Sequence, residues 1–202
     1  MRRMFNVICL SFALLGMAPV VHADAQFPIE AENTRVRFEC SGGLLPVAGR
    51  FEAVQGRVVF AAQSSKPSAV EVTIDAKSLT IGHAALDRQL GSPDFFDSAR
   101  YPAIVFESTD VRETGAGEAQ ASGRLTVKDI TRPVTLHIAL DPQPIDGLSR
   151  LGREATSTAR LAIRASAQIH RSEFGMAGFN PLISDECSIQ IRVAVPAWGL
   201  NE

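Results

Sequence analysis

Leu161-Ala162-Ile163-Arg164-Ala165-Ser166-Ala167-Gln168-Ile169-His170 decides how this chain is read. Leu161, Ile163, Ala165, Ala167 and Ile169 share one face. Arg164, Ser166, Gln168 and His170 share the other. A period of two over this length predicts a long strand, covered on one side and wet on the other. The contrast recurs along the chain. Val36, Phe38 and Cys40 oppose Arg35, Arg37 and Glu39. Val70, Val72 and Ile74 oppose Glu71, Thr73 and Asp75. Ile104 and Phe106, then Leu125 and Val127, continue the pattern. Val134, Leu136, Ile138 and Leu140 follow, and Ile189, Ile191, Val193 and Val195 make the last strand. Phe51 to Phe60 reads as a strand interrupted at Gly56, and Gly115-Ala116-Gly117 as a tight hairpin turn. Eight or nine antiparallel strands result.

Strands this long with short connections favour a closed barrel, which also removes open edges. An eight-stranded barrel either fills its interior with side chains or holds one small ligand. The inward residue types here are Phe, Val, Ile, Leu and Ala, and they fit both. One stretch breaks the alternation. Ile81 to Asp97 predicts a short helix, a turn at Ser92-Pro93 and a second short helical piece through Phe95-Phe96-Asp97. Residues 141–154, rich in Pro, Gly, Asp and Arg, predict a surface loop.

Of 202 residues, 46% are apolar and 21% charged, enough for one domain with a sizeable core. Twenty Lys and Arg stand against 22 Asp and Glu, a balance that gives no support for a nucleic-acid binder. Arg2 and Arg3 precede a nearly continuous apolar run from Val7 to Val21, and Val21-His22-Ala23 ends in a small residue. This is the pattern of a signal peptide over residues 1–23, with a single domain over 24–202. The expected compartment is a bacterial periplasm, where disulfides persist.

Cys40 and Cys187 both fall on inward faces. Setting them opposite each other places Phe38 against Ile189 and Val36 against Ile191, so every pair points inward, as register demands. A disulfide closing the barrel and two separate buried thiols are the two readings. Neither cysteine lies in a Cys-x-x-Cys redox motif.

Groups for chemistry are few. The sequence holds no Gly-x-Ser-x-Gly, phosphate-binding loop, dinucleotide fingerprint or His-Glu-x-x-His. His83, His137 and His170 are isolated, so neither a metal nor another cofactor is expected. Asp87, Asp94 and Asp97 read as caps and turn residues. Arg171 and Glu173 are close enough to pair or to fix the loop, or Arg171 meets an anionic head group, which its planar fork would suit. Phe174, Met176 and Phe179 make an apolar rim or a plug, and Phe95-Phe96 a cover over one barrel end.

Several ordered blocks resemble the YceI-like family. They are Asp87-Arg88-Gln89-Leu90-Gly91-Ser92-Pro93-Asp94-Phe95-Phe96-Asp97, then Tyr101-Pro102 with Ile104-Val105-Phe106, then Gly123-Arg124-Leu125-Thr126-Val127-Lys128-Asp129-Ile130-Thr131-Arg132-Pro133, and finally Arg171-Ser172-Glu173-Phe174-Gly175-Met176. The resemblance covers nearly the whole chain after the leader. It implies an all-β fold, an extended eight-stranded antiparallel lipocalin-like β-barrel with a short helical insertion. It also implies an isoprenoid tail in an elongated lumen. By face and position, Phe38, Phe51, Ile74, Leu86, Leu90 and Phe95 would line that lumen. Phe106, Leu125, Leu136, Ile163 and Phe174 would continue the lining, with Arg171 and Met176 at its rim. Gln89 and Cys40 stand where the family commonly carries histidine, so no metal role passes to this chain.

The resemblance implies a non-enzymatic carrier of a long-chain isoprenoid lipid. Two other readings stand beside it. One is a holder of an isoprenoid quinone that transiently meets an inner-membrane electron-transfer protein. The other is an envelope stress or structural module without a ligand. A closed barrel needs no edge partner, so a monomer or weak dimer is expected.

Overall fold

The computed structural model describes residues 25–60, 67–141 and 160–196. The expected signal peptide and the expected loop beyond residue 141 lie outside them.

Eleven strands form one sheet: β1 (Ala25–Glu30), β2 (Thr34–Cys40), β3 (Val47–Phe51), β4 (Val54–Phe60), β5 (Pro67–Asp75), β6 (Leu79–Thr80), β7 (Ala103–Gly115), β8 (Glu118–Val127), β9 (Ile130–Asp141), β10 (Arg160–His170) and β11 (Glu186–Pro196). Their order is β1-β4-β5-β7-β8-β9-β10-β11-β2-β3-β6, and every pairing is antiparallel. One helix, α1 (Ala84–Leu90), follows β6. The sheet is all-β and curled, as expected, but it has eleven strands rather than eight, and its hydrogen-bond ladder is not closed.

Three bends account for the difference. At one end of the ladder stand β1, β4 and β5; at the other stand β6, β3 and β2. These are halves of the same three chain stretches, separated at residues 31–33, 52–53 and 76–78. The chain itself therefore links the two ends of the curl where no ladder does. Each bend is held locally. Asn33 donates its amide N–H to the Glu30 carbonyl, and its Oδ1 accepts from Glu30 N at 3.0 Å. Asp75 N donates to the Ala53 carbonyl at 3.0 Å. Asp75 Oδ1 caps the 3-10 turn Ala76–Ser78 by accepting from Lys77 N at 2.8 Å. One exposed edge, β6, is only two residues long, a common way to keep an edge from recruiting another strand.

The break in the Phe51–Phe60 stretch falls at Glu52-Ala53, not at Gly56. Gly56 lies inside β4, where a Cβ would run into the Glu71 carbonyl of β5. Its lack of a side chain permits a close backbone approach. The expected helical piece at Phe95–Asp97 is a series of turns instead, with the Asp97 carbonyl accepting from Arg100 N and Tyr101 N. The Gly115–Gly117 hairpin is present, with Gly117 at φ 76° in the left-handed region that glycine tolerates.

Alternation carries the core. In β2, Thr34, Val36, Phe38 and Cys40 are buried and the residues between them exposed. Gly123 of β8 is another close fit. A Cβ there would run into the Glu107 carbonyl and sit 2.7 Å from the Phe106 ring and 2.8 Å from Ser108 Cα. Gly123→Ala is expected to cost about 1–3 kcal/mol by overpacking, read as a lowered urea midpoint. Gly115→Ala is the control. It meets only the end of the Glu118 side chain, at 3.3 Å, and should shift stability by less than about 0.5 kcal/mol.

Candidate functional site

Inside the curl lies a cavity of about 100 Å³ onto which only apolar atoms open. β2 supplies Val36, Phe38 and Cys40, β3 supplies Val47 and Phe51, and β5 supplies Ile74. Ile104, Leu125, Val127, Ile169, Cys187 and Ile189 come from β7, β8, β10 and β11. Leu90 of α1, Phe95 and Phe96 of the following turns, and Arg171, Met176 and Ile183 complete the lining. A second apolar cavity of about 50 Å³ is lined by Val72, Phe106, Val134, Leu136, Ala167 and Ile191, together with Ile74, Ile104, Leu125, Ile169 and Ile189. Those last five residues line both cavities. They form a waist of branched aliphatic side chains between two chambers.

The structure places the residues expected along a lumen as follows. Phe38, Phe51, Ile74, Leu90, Phe95, Leu125, Arg171 and Met176 meet around the larger chamber, and Phe106 and Leu136 around the smaller. Three residues fall elsewhere. Leu86 is half-exposed: it lies on the same face of α1 as Leu90, one turn earlier, and only the last turn of the helix is buried. Phe174 is fully buried in the core without lining either chamber, and half-buried Ile163 only packs against that core. Ile104, Ile169 and Ile189 are additions. All three sat on faces already read as inward, so strand parity was the signal that could have found them. Ile183 lies in a loop and carried no periodic signal.

Aromatic rings pack along one end of the larger chamber. Phe51 meets Phe38 at 5.8 Å and Phe96 edge-on at 5.7 Å. Such pairs stabilise by about 0.5–1.5 kcal/mol beyond their buried area. Asp87 seats α1 beside them, its carboxylate accepting from Thr80 Oγ1 at 2.9 Å and Ile81 N at 2.7 Å.

β2 and β11 pair with Phe38 opposite Ile189 and Val36 opposite Ile191. Cys40 and Cys187, one step further along, form a disulfide across 147 residues of chain. Both sulfurs belong to the wall of the larger chamber.

Arg171 is the buried cation of the site, 5% exposed. Its Nε donates to the Ser184 carbonyl at 2.8 Å, and one terminal nitrogen to the carbonyls of Met176 and of Gly178. The other donates to the Ile183 carbonyl at 2.9 Å. Four of the five N–H donors of a guanidinium are therefore engaged by backbone. Arg171 makes no ion pair with Glu173 among the described residues, and its fork is not open to a head group; it fixes the loop, through backbone carbonyls. Burial pushes the guanidinium below its ordinary pKa, and the charge of Asp185 works the other way. It remains charged at neutral pH. Asp185 accepts from Ser172 N and Oγ, each at 2.8 Å. Burial works to raise its pKa, but the Ser172 bonds, His170 and Arg171 together hold it below the ordinary value.

The histidines stay apart. His83 precedes α1 without capping it, His137 is exposed near Gln120 at 3.4 Å, and His170 is exposed 3.6 Å from Asp185. Among the described residues no three His, Cys, Asp or Glu side chains gather into a metal site. Among the residues that line the two chambers, Arg171 is the one with a charged side chain.

The YceI-like domain model matches residues 27–195. The chain belongs to the YceI-like family. Within it, a UPF0312 protein of Pseudomonas putida is 32% identical over 166 residues, covering 80% of this chain and 85% of that one. Among solved structures, BcnA of Burkholderia cenocepacia superposes with a TM-score of 0.65 at 21% identity, over 80% of this chain and 96% of its own. A polyisoprenoid binding domain from Saccharophagus degradans, implicated in plant cell wall breakdown, gives 0.54 at 13% identity, over 85% and 99%. At these identities the structures share the fold. In this member of the YceI-like family, the interior is an apolar space of two adjoining chambers.

Proposed function

We propose that the protein carries a long-chain isoprenoid lipid in its interior, as an exported protein of the bacterial periplasm. The observation that carries this is the lining, a curled sheet enclosing two adjoining chambers that open only onto apolar atoms. Moving a tail from water into such a space gains about 0.8 kcal/mol per CH₂. The polyisoprenoid binding domain with the same fold lends the guest class. The disulfide supports an oxidising compartment, and cleavage after Ala23 would deliver the chain there.

The engagement of Arg171 favours one guest over another. With its donors held by backbone, it offers little to a phosphate. An uncharged head group such as a quinone suits this interior better. That version of the function adds brief contact with an inner-membrane electron-transfer protein, the carrier itself being a monomer or weak dimer.

The chambers, at about 100 and 50 Å³, are small beside the roughly 300–1,000 Å³ of typical ligand pockets. A long tail therefore enters by parting the waist. Native mass spectrometry of protein exported from its own host should show a chain lacking residues 1–23 with one long-chain adduct, and the adduct mass separates quinone from isoprenoid phosphate. Ile104→Phe, filling the waist, should lower long-chain occupancy at least tenfold while the protein stays folded by circular dichroism. A clean apo mass, repeated after incubation with both lipid classes, would overturn the carrier function.

A further inference from the structure

Leu44, Leu45, Phe179 and Leu182 are large apolar side chains between 40% and 80% exposed, and they belong to two loops at one end of the sheet. Leu44 and Leu45 sit between β2 and β3. Phe179 and Leu182 sit between the 3-10 turn Arg171–Phe174 and β11. The loops act as one unit. Leu45 N donates to the Leu182 carbonyl at 2.8 Å. Gly43 packs so tightly on the other loop that a Cβ would lie 2.6 Å from Ser184 N. The Cys40–Cys187 disulfide joins their roots, and the Phe179 ring packs 5.8 Å from that of Phe95. Met176 and Ile183 of the same loops line the larger chamber. The exposed apolar patch and the chamber wall are thus outer and inner faces of one structure.

The carbonyls of the second loop are mostly paired within the protein. Of the nine carbonyls of residues 176–184, seven accept a hydrogen bond from within the protein. Arg171 takes those of Met176, Gly178, Ile183 and Ser184. Asn180 N, Ile183 N and Leu45 N take those of Ala177, Phe179 and Leu182. Surface loops ordinarily leave such groups to water. A loop that enters hydrocarbon must satisfy them internally, since each bare group there is costly.

We propose that these paired loops insert into the surface of a lipid bilayer and bring the part of the larger chamber's wall formed by Met176 and Ile183 against the acyl chains. Docking itself needs no guest; that a guest passes during docking rests on the carrier function above. The chain's net charge of −2 offers no pull toward anionic lipid, so the attraction is apolar. It should persist on zwitterionic vesicles and in high salt, where polybasic docking fails.

The test is flotation of the full exported chain with phosphatidylcholine vesicles. The double variant Leu44→Asp with Leu182→Asp should lower the fraction bound at least tenfold, and 0.5 M salt (roughly a 4–5 Å screening length) should change wild-type binding less than twofold. Leu140→Asp is the control. Leu140 is also exposed, but it pairs with Ile163, about 20 Å along β10 from Ile169 beside Cys187. It should bind as wild type. Equal binding by the double variant, salt-released binding, or no binding at all would overturn the docking. Native mass spectrometry of the double variant keeps the two ideas apart. Guest retained without vesicle binding refutes docking and leaves the carrier standing. Vesicle binding by a chain that never holds a guest refutes the carrier and leaves docking.

Discussion

Arg171→Met should lower the unfolding free energy by about 3–5 kcal/mol, the size expected when one member of a buried charged network is removed. The guanidinium holds four carbonyls, of Met176, Gly178, Ile183 and Ser184. Its own backbone ties the same region further, Arg171 N donating to Asp185 O at 2.9 Å and Met176 N to Arg171 O at 3.2 Å. Methionine fills the volume but leaves the four acceptors without their donor, in a place where water has little access. Arg171→Lys should recover only a small part of the loss, because an ammonium is a point with three donors and the cage is built for a planar fork. Urea unfolding of the three proteins, with the m-value checked for constancy, measures this. A loss below about 1 kcal/mol for Arg171→Met would show that water takes over the carbonyls and that the cage is not a structural hub.

The double variant Cys40→Ala with Cys187→Ala should be about 5 kcal/mol less stable than the oxidised protein in the chain-entropy account of a loop this long, the two cysteines lying 147 residues apart. A compact denatured state would reduce that figure. The β2–β11 ladder has six further residue pairs from Thr34 to Glu39, so the variant should still fold, with unchanged far-ultraviolet circular dichroism at low temperature. The check is a urea titration of variant and wild type, the latter with and without reductant. Equal midpoints for all three would mean the unfolded chain already keeps these ends together. The two effects share a place: the disulfide and the Arg171 cage brace the same loop from opposite ends, so combining the variants should give a loss that is not the simple sum.

Much of the architecture was legible because strand parity is a local property. Phe38, Ile74, Leu125 and Leu136 were assigned inward by counting in twos, and each lines a chamber. The same counting set Val36 opposite Ile191 and Phe38 opposite Ile189. The bends were harder, yet they left a trace. Successive buried positions step from Ile29 to Thr34, from Phe51 to Val54 and from Ala76 to Leu79, odd spacings that break the period of two. Reading Gly56 as the break mistook a close-packing glycine for a turn, since glycine serves both purposes and sequence does not say which.

What the chain determined by itself was the alternation, the hairpin at Gly115–Gly117, the family blocks and the matched faces of Cys40 and Cys187, all written in side-chain identity at fixed spacing. What only the tertiary structure decided was how the curl divides and what its loops do. The waist exists because Ile74, Ile104, Leu125, Ile169 and Ile189 arrive from five strands at one level. Leu86 is exposed although it shares a face of α1 with Leu90, because the core reaches only the last turn of that helix. Arg171 was read as a partner for a charge, but its partners are backbone carbonyls. Every residue carries a carbonyl, so acceptors of that kind leave no mark in a sequence and become visible only when the fold points them at one place.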